Sequence, residues 1–97
     1  MTDRQEYIKA LKNELPKLQR DYGVTGLAIF GSVARGDNDS DSDLDLFVDM
    51  PPKIFLISGL ARYLESLFHV SVDIVRRHSN LSARFLNQVS RDAIVIL

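Results

Sequence analysis

The sequence predicts an α+β (mixed α/β) protein: a small mixed four-stranded sheet with helices packed mainly on one face. Three observations carry this. Apolar residues recur at helical spacing in three segments, four short apolar or β-branched runs separate them, and the resulting order is helix–strand–strand–helix–strand–helix–strand. A chain of 97 residues has room for one sheet and a few helices, so a single domain spanning 1–97 is expected.

The first helix is marked by Ile8, Leu11, Leu15 and Leu18, spaced three, four and three apart. Thr2 or Asp3 can cap its start, and Gly23 can stop it. Pro16 is expected to kink it or to begin a second short helix after Asn13. Thr25–Phe30 then reads as a strand ending at Gly31, followed by a short turn over Val33–Arg35. Leu44–Met50 reads as a second strand, halted by Pro51 and Pro52. Lys53–Phe68 is predicted helical, with Ile57, Leu60, Leu64 and Leu67 on one face. Val70–Val75 alternates as a third strand, and Leu81–Val89 places Leu81, Phe85 and Val89 in helical register. Ala93–Leu97 is a final β-branched strand. The step from Leu44 to Val75 is expected to be a right-handed parallel crossover.

Composition narrows the possibilities. There is no cysteine, which removes disulfides and thiolate metal sites. No run approaches the roughly 20 apolar residues of a membrane span, and no signal-peptide pattern opens the chain, so a cytoplasmic protein is expected. The net charge of -1 conceals an asymmetry: six Asp fall between Asp37 and Asp49 with no Lys or Arg among them. Such a cluster repels itself unless solvated or met by cations. No basic block points to direct nucleic-acid binding.

The most specific pattern is Gly31-Ser32, ten intervening residues, then Asp43-Leu44-Asp45. Side chains alternate along a strand, so Asp43 and Asp45 share a face about 6.5–7 Å apart, while Leu44, Leu46 and Val48 point into the core. In the third strand Val70, Val72 and Ile74 form the apolar face and Asp73 points opposite. If these strands are neighbours, three carboxylates converge on one open face. Three such groups cannot all ionise comfortably without a cation, and hard divalent ions prefer oxygen ligands. A pair of ions about 3.5–4 Å apart would clamp an in-line displacement. Gly31 permits a close backbone approach, and the amides and hydroxyl at Ser32 can receive phosphate oxygens. The arrangement suits an enzyme that handles a nucleoside triphosphate.

Competing patterns fail on particular residues. A calcium loop needs glycine where Ser42 stands and a closing Glu where Val48 stands, and a Walker A loop needs Lys where Asp37 stands. Asp37, Asp39 and Asp41 are expected to be a solvated connection. His69 and His78 are expected to be structural or surface residues, Arg76 and Arg77 a solvated strand end, and Tyr63 core or helix surface. Arg35 lies in the phosphate turn and is a candidate triphosphate contact. Ile54 and Phe55, if exposed, would belong to a partner surface.

The motifs GSVARG, SDLDL and VDIV, in this order and spacing, resemble the minimal nucleotidyltransferase (MNT) group of the DNA polymerase β superfamily. Gly31, Ser32, Asp43 and Asp45 match its GS-x(10)-D-x-D hallmark, and Asp73 falls where the family carries its third acid. The resemblance implies that Asp43 and Asp45 bind the metal ions, two Mg²⁺, that carry ATP. It implies that Asp73 completes the second metal site and helps activate the acceptor hydroxyl, and that Gly31 and Ser32 hold the β- and γ-phosphates. The implied reaction transfers AMP with release of pyrophosphate. Stand-alone members of this size are typically antitoxins that adenylylate a HEPN-domain RNase toxin, characteristically on a tyrosine. Larger relatives add a domain walling the base pocket, for which this chain has no residues, so a partner protein would complete the site. Neutralisation by occlusion without catalysis is the main competitor. A small-molecule nucleotidyltransferase of the aminoglycoside type is disfavoured by the absence of an acceptor-binding domain.

Overall fold

A computed structural model of the chain describes residues 3–39 and 41–97. The elements are α1 (Arg4–Tyr22), β1 (Gly26–Phe30), α2 (Gly31–Arg35), β2 (Leu44–Asp49), α3 (Ile54–Phe68), β3 (Val72–Arg76), α4 (Ala83–Asp92) and β4 (Ile94–Val95). The sheet order is β3-β2-β1-β4. β1 runs antiparallel to both β2 and β4, whereas β2 and β3 are parallel and joined through α3. The expected mixed four-stranded sheet is therefore present. No helix among the described residues is long and apolar enough to cross a membrane.

Strand parity builds the core. Leu27 and Ile29 of β1, and Leu44, Leu46 and Val48 of β2, are buried on one face. They pack with Leu11 and Leu18 of α1 and Leu60 and Leu64 of α3. Each fully buried leucine contributes roughly 1.5–3 kcal/mol of transfer free energy.

Helix α1 runs unbroken through Pro16, and no second helix starts after Asn13. Proline removes a single backbone donor, while Tyr7 and Leu11 before it and Leu18 after it are all buried and hold both halves in one register. Asp3 caps the start by accepting from the Glu6 amide at 2.9 Å; Thr2, the other expected cap, lies outside the described residues. Gly23, at φ 71°, closes the end, with its N–H directed to the Gln19 and Leu18 carbonyls.

Other boundaries shift for local reasons. Strand β3 begins at Val72, not Val70, because His69 adopts a left-handed conformation as the C-cap of α3 and the chain turns there. The Val72 amide then donates to Glu65 Oε2 at 3.0 Å, tying strand to helix. Leu67, expected on the inner face, is instead 39% exposed. Phe68 occupies that inner position and meets Tyr7 edge-on at 5.1 Å between ring centroids. Leu81 precedes α4, whose cap is Ser82, accepting from the Phe85 amide at 3.1 Å. β4 is shorter than expected because Ile96 and Leu97 both donate to the Leu27 carbonyl, two residues against one, as in a bulge.

Helices α1 and α3 cover the apolar face as expected, but α4 lies on the other side. Its Phe85 ring sits 6.0 Å from that of Phe30 and 6.1 Å from that of Phe47, residues that share the face of Asp45. The second face is thus partly roofed, not fully open.

Candidate active site

The sheet brings the expected residues to one end of that second face. Asp45 is the register partner of Phe30 in β1 and of Asp73 in β3. Asp43 immediately precedes β2 with the same parity. Asp43 and Asp73 are exposed, and Asp45 is half-buried. Burial raises the Asp45 carboxyl above the ordinary carboxylate range; repulsion from Asp73 and then Asp43 adds to this, and Arg35 opposes it. Asp45 therefore feels Asp73 across the sheet and Asp43 along its own segment. Among the described residues, no three His, Cys, Asp or Glu side chains are drawn close enough together to hold a metal ion between them.

Gly31 begins α2 directly after β1, at φ 73°. A Cβ there would overlap Asp45 Oδ2 and stand 3.1 Å from Asp45 Cγ. Only glycine fits this backbone against this carboxylate. Ser32 occupies the next position, and Val33 and Ala34 anchor the short helix in the core. Gly36, at φ 80°, ends it. Arg4, from the first turn of α1, donates to the Ala34 carbonyl at 3.0 Å and so ties the turn to the distant helix.

Arg35 is held by neighbouring acids: its Nε lies 3.2 Å from Asp37 Oδ2 and its Nη1 3.9 Å from Asp92 Oδ2. Asp37, Asp39 and Asp41 in the connection after it are exposed, as expected, and Asp39 orders its neighbours with its side chain. Asp39 Oδ1 accepts from the Asp41 amide at 2.9 Å and from Ser42 Oγ at 3.2 Å.

His69 and His78 are exposed, and Arg77 lies 3.9 Å from Asp49 at the far end of the face. The Tyr63 hydroxyl donates to Glu14 Oε2 at 2.6 Å on the α1–α3 side, which pushes its phenol up to about 12. Ile54 and Phe55 are 74% and 88% exposed. Sequence reasoning missed Phe30, Phe85 and Asp92 around the site, and Arg4 behind it. Phe30 had a signal, as the residue of matching parity immediately before Gly31.

The arrangement pairs a tight backbone turn with a row of carboxylates, which suits transfer at a phosphorus centre. A nucleotidyltransferase domain family model matches residues 8–96. The protein adenylyltransferase MntA of Thermococcus cleftensis is 31% identical over 98 residues, covering 99% of this chain and 98% of its own length. Among solved structures, one assigned as a minimal nucleotidyltransferase is 37% identical, with a TM-score of 0.77 over 96% of this chain and 95% of that one. A toxin–antitoxin structure with AMP-PNP is 27% identical, with a TM-score of 0.71 over 89% of this chain and 72% of that one.

Proposed function

The chain belongs to the nucleotidyltransferase domain family, and from that premise we propose that it transfers AMP from ATP to a tyrosine hydroxyl of a HEPN-domain RNase toxin, acting as its antitoxin in the cytoplasm. The observation that carries this is the contact between the Gly31 turn and Asp45, with Asp73 alongside. It sets the turn proposed to receive phosphate directly against one of the proposed transfer carboxylates, Asp45. Likeness to a protein adenylyltransferase along nearly the whole chain supports a protein acceptor. Likeness to a toxin–antitoxin structure with an ATP analogue supports the donor and the kind of partner.

In this mechanism Gly31 and Ser32 receive the β- and γ-phosphates, and Arg35 adds a positive charge beside them. The acceptor oxygen bonds to the α-phosphorus, the bond from that phosphorus to the oxygen bridging to the β-phosphate breaks, and pyrophosphate leaves. Asp73, exposed next to Asp45, takes the hydroxyl proton. The oxygen-only donor set and the repulsion of Asp45 by Asp73 and Asp43 fit divalent cations. Asp43, Asp45 and Asp73 would hold Mg²⁺, which supplies positive charge against the triphosphate when bound. An ion of this type completes its shell with water and phosphate oxygens, so a closed protein cage is not required.

The test incubates the pure chain with α-labelled ATP, Mg²⁺ and the product of the adjacent gene. Label should reach a partner tyrosine and vanish with the Asp43→Asn, Asp45→Asn double variant. Transfer that persists in the double variant would sink the catalytic assignment. An unlabelled partner that is nevertheless neutralised by both proteins would establish occlusion instead.

A further inference from the structure

We propose that Asp92 is a positioning residue for nucleotide binding: together with Asp37 it holds the Arg35 guanidinium beside the Gly31-Ser32 turn before the triphosphate arrives. The proposal rests on Arg35 being a phosphate contact, and it adds a residue from a different element of the fold.

Three observations lead to it. Asp37 takes the Nε side of Arg35 at 3.2 Å, and Asp92 lies 3.9 Å from Nη1, so the guanidinium is flanked by acids from two segments. Arg35, Gly31 and Asp92 also line one cavity of about 180 Å³ between α2 and α4, together with Phe30, Phe85 and Gln88. Arg35 and the phosphate turn therefore face the same space. Finally, Asp92 is the last residue of α4. A carboxylate there opposes the partial negative charge of the helix end, where a cation or a neutral side chain is favoured.

The ion pair itself gives little stability. Arg35 and Asp92 side chains are 46% and 30% exposed, and pairs of this kind contribute close to nothing measurable. An acid at an unfavourable helix end, in a pair that does not stabilise the fold, is explained by what it does to Arg35. A guanidinium offers five N–H donors. Two flanking carboxylates restrict its rotamers and leave donors free for phosphate oxygens. Ordering the side chain in advance lowers the entropy lost when ATP binds.

The experiment measures KM for ATP, kcat and melting temperature for Asp92→Asn, Asp92→Glu, Arg35→Ala and the Arg35→Ala, Asp92→Asn double variant. Asp92→Asn should raise KM roughly three- to tenfold, the effect of freeing one rotamer-rich side chain. Its kcat should stay within about twofold of the parent, since the interaction precedes chemistry. Its melting temperature should hold or rise, because the unfavourable helix-end charge is gone. Asp92→Glu should recover most of the affinity. In the Arg35→Ala background, Asp92→Asn should add nothing further. An unchanged KM in Asp92→Asn, or an equal rise with and without Arg35, would overturn the positioning role. If Arg35→Ala itself leaves KM unchanged, the phosphate role of Arg35 fails, and the positioning role falls with it. A fall in melting temperature that accounts for the lost activity would make Asp92 merely structural and would also overturn it.

Discussion

Replacing Gly31 with alanine tests the contact on which the site is built. Two costs can be separated in the structure. The backbone at φ 73° penalises an L side chain by about 1–2 kcal/mol. The new methyl also overlaps Asp45 Oδ2 and presses on Asp45 Cγ at 3.1 Å. Displacing a packed side chain in this way costs about 1–3 kcal/mol more. The sum, about 2–5 kcal/mol, should lower the melting midpoint by roughly 10–25 °C in a domain of this size. The second cost should disappear when Asp45 is shortened. In an Asp45→Ala background only Cβ remains, 3.3 Å from the new methyl, and Gly31→Ala should cost about 1–2 kcal/mol. Urea denaturation of the four proteins in metal-free buffer gives the coupling energy, expected at about 1–3 kcal/mol. Costs that match in both backgrounds to within about 0.5 kcal/mol would mean that Gly31 and Asp45 do not meet as described.

Asp45→Asn should stabilise the metal-free protein by about 0.5–1 kcal/mol, a figure already reduced for solvent screening of a half-buried group. Because the folded state holds the Asp45 proton more tightly than the unfolded chain, wild-type stability declines as pH rises from the ordinary Asp range through the raised folded value. The stability advantage of the variant should therefore widen across that window in melting scans with chelator present, and a gap that narrows would contradict it. The same variant should lose stabilisation by Mg²⁺ with ATP. His69→Gly should raise the midpoint by roughly 2–8 °C, since His69 holds φ 58° at an exposed helix end; a lowered midpoint would show that its side chain contributes more than its backbone costs. Glu14→Gln should return the Tyr63 phenol from about 12 toward about 10, followed as tyrosinate absorbance. Stability linked to that hydrogen bond is present below pH 10 and lost as pH rises through the folded value, so the variant should lack this alkaline transition.

How much the sequence reveals differs from element to element. The alternation Leu44-Asp45-Leu46 places the acids opposite the core, and Asp73 meets Asp45 in register because β3 shows the same parity. Gly31 is recognisable because close approach requires a residue without a Cβ. What escapes notice has no periodic signature. The side of the sheet taken by α4 depends on Phe85 finding Phe30 and Phe47, and no spacing within 83–92 specifies that partner. Pro16 reads locally as a breaker, yet burial on both sides of it outweighs one missing hydrogen bond. Leu67 and Phe68 both suit the inner face of α3 by spacing, and contact with Tyr7 selects Phe68. The links from Arg4 to Ala34 and from Arg35 to Asp92 join residues 30 or more positions apart, so each exists only once the chain is folded.

The alternation along β2 has a consequence for how this protein can change over time. Leu44, Leu46 and Val48 are fully buried, while Asp45, Phe47 and Asp49 face the other side of the same six-residue strand. Substitutions at the first set act on whether the protein persists in the cell, whereas those at the second act more weakly on stability and, on the proposed function, chiefly on what the persisting protein can do. Selection on abundance and selection on activity therefore fall on interleaved positions. The acidic face can be altered without re-solving the folding problem beneath it.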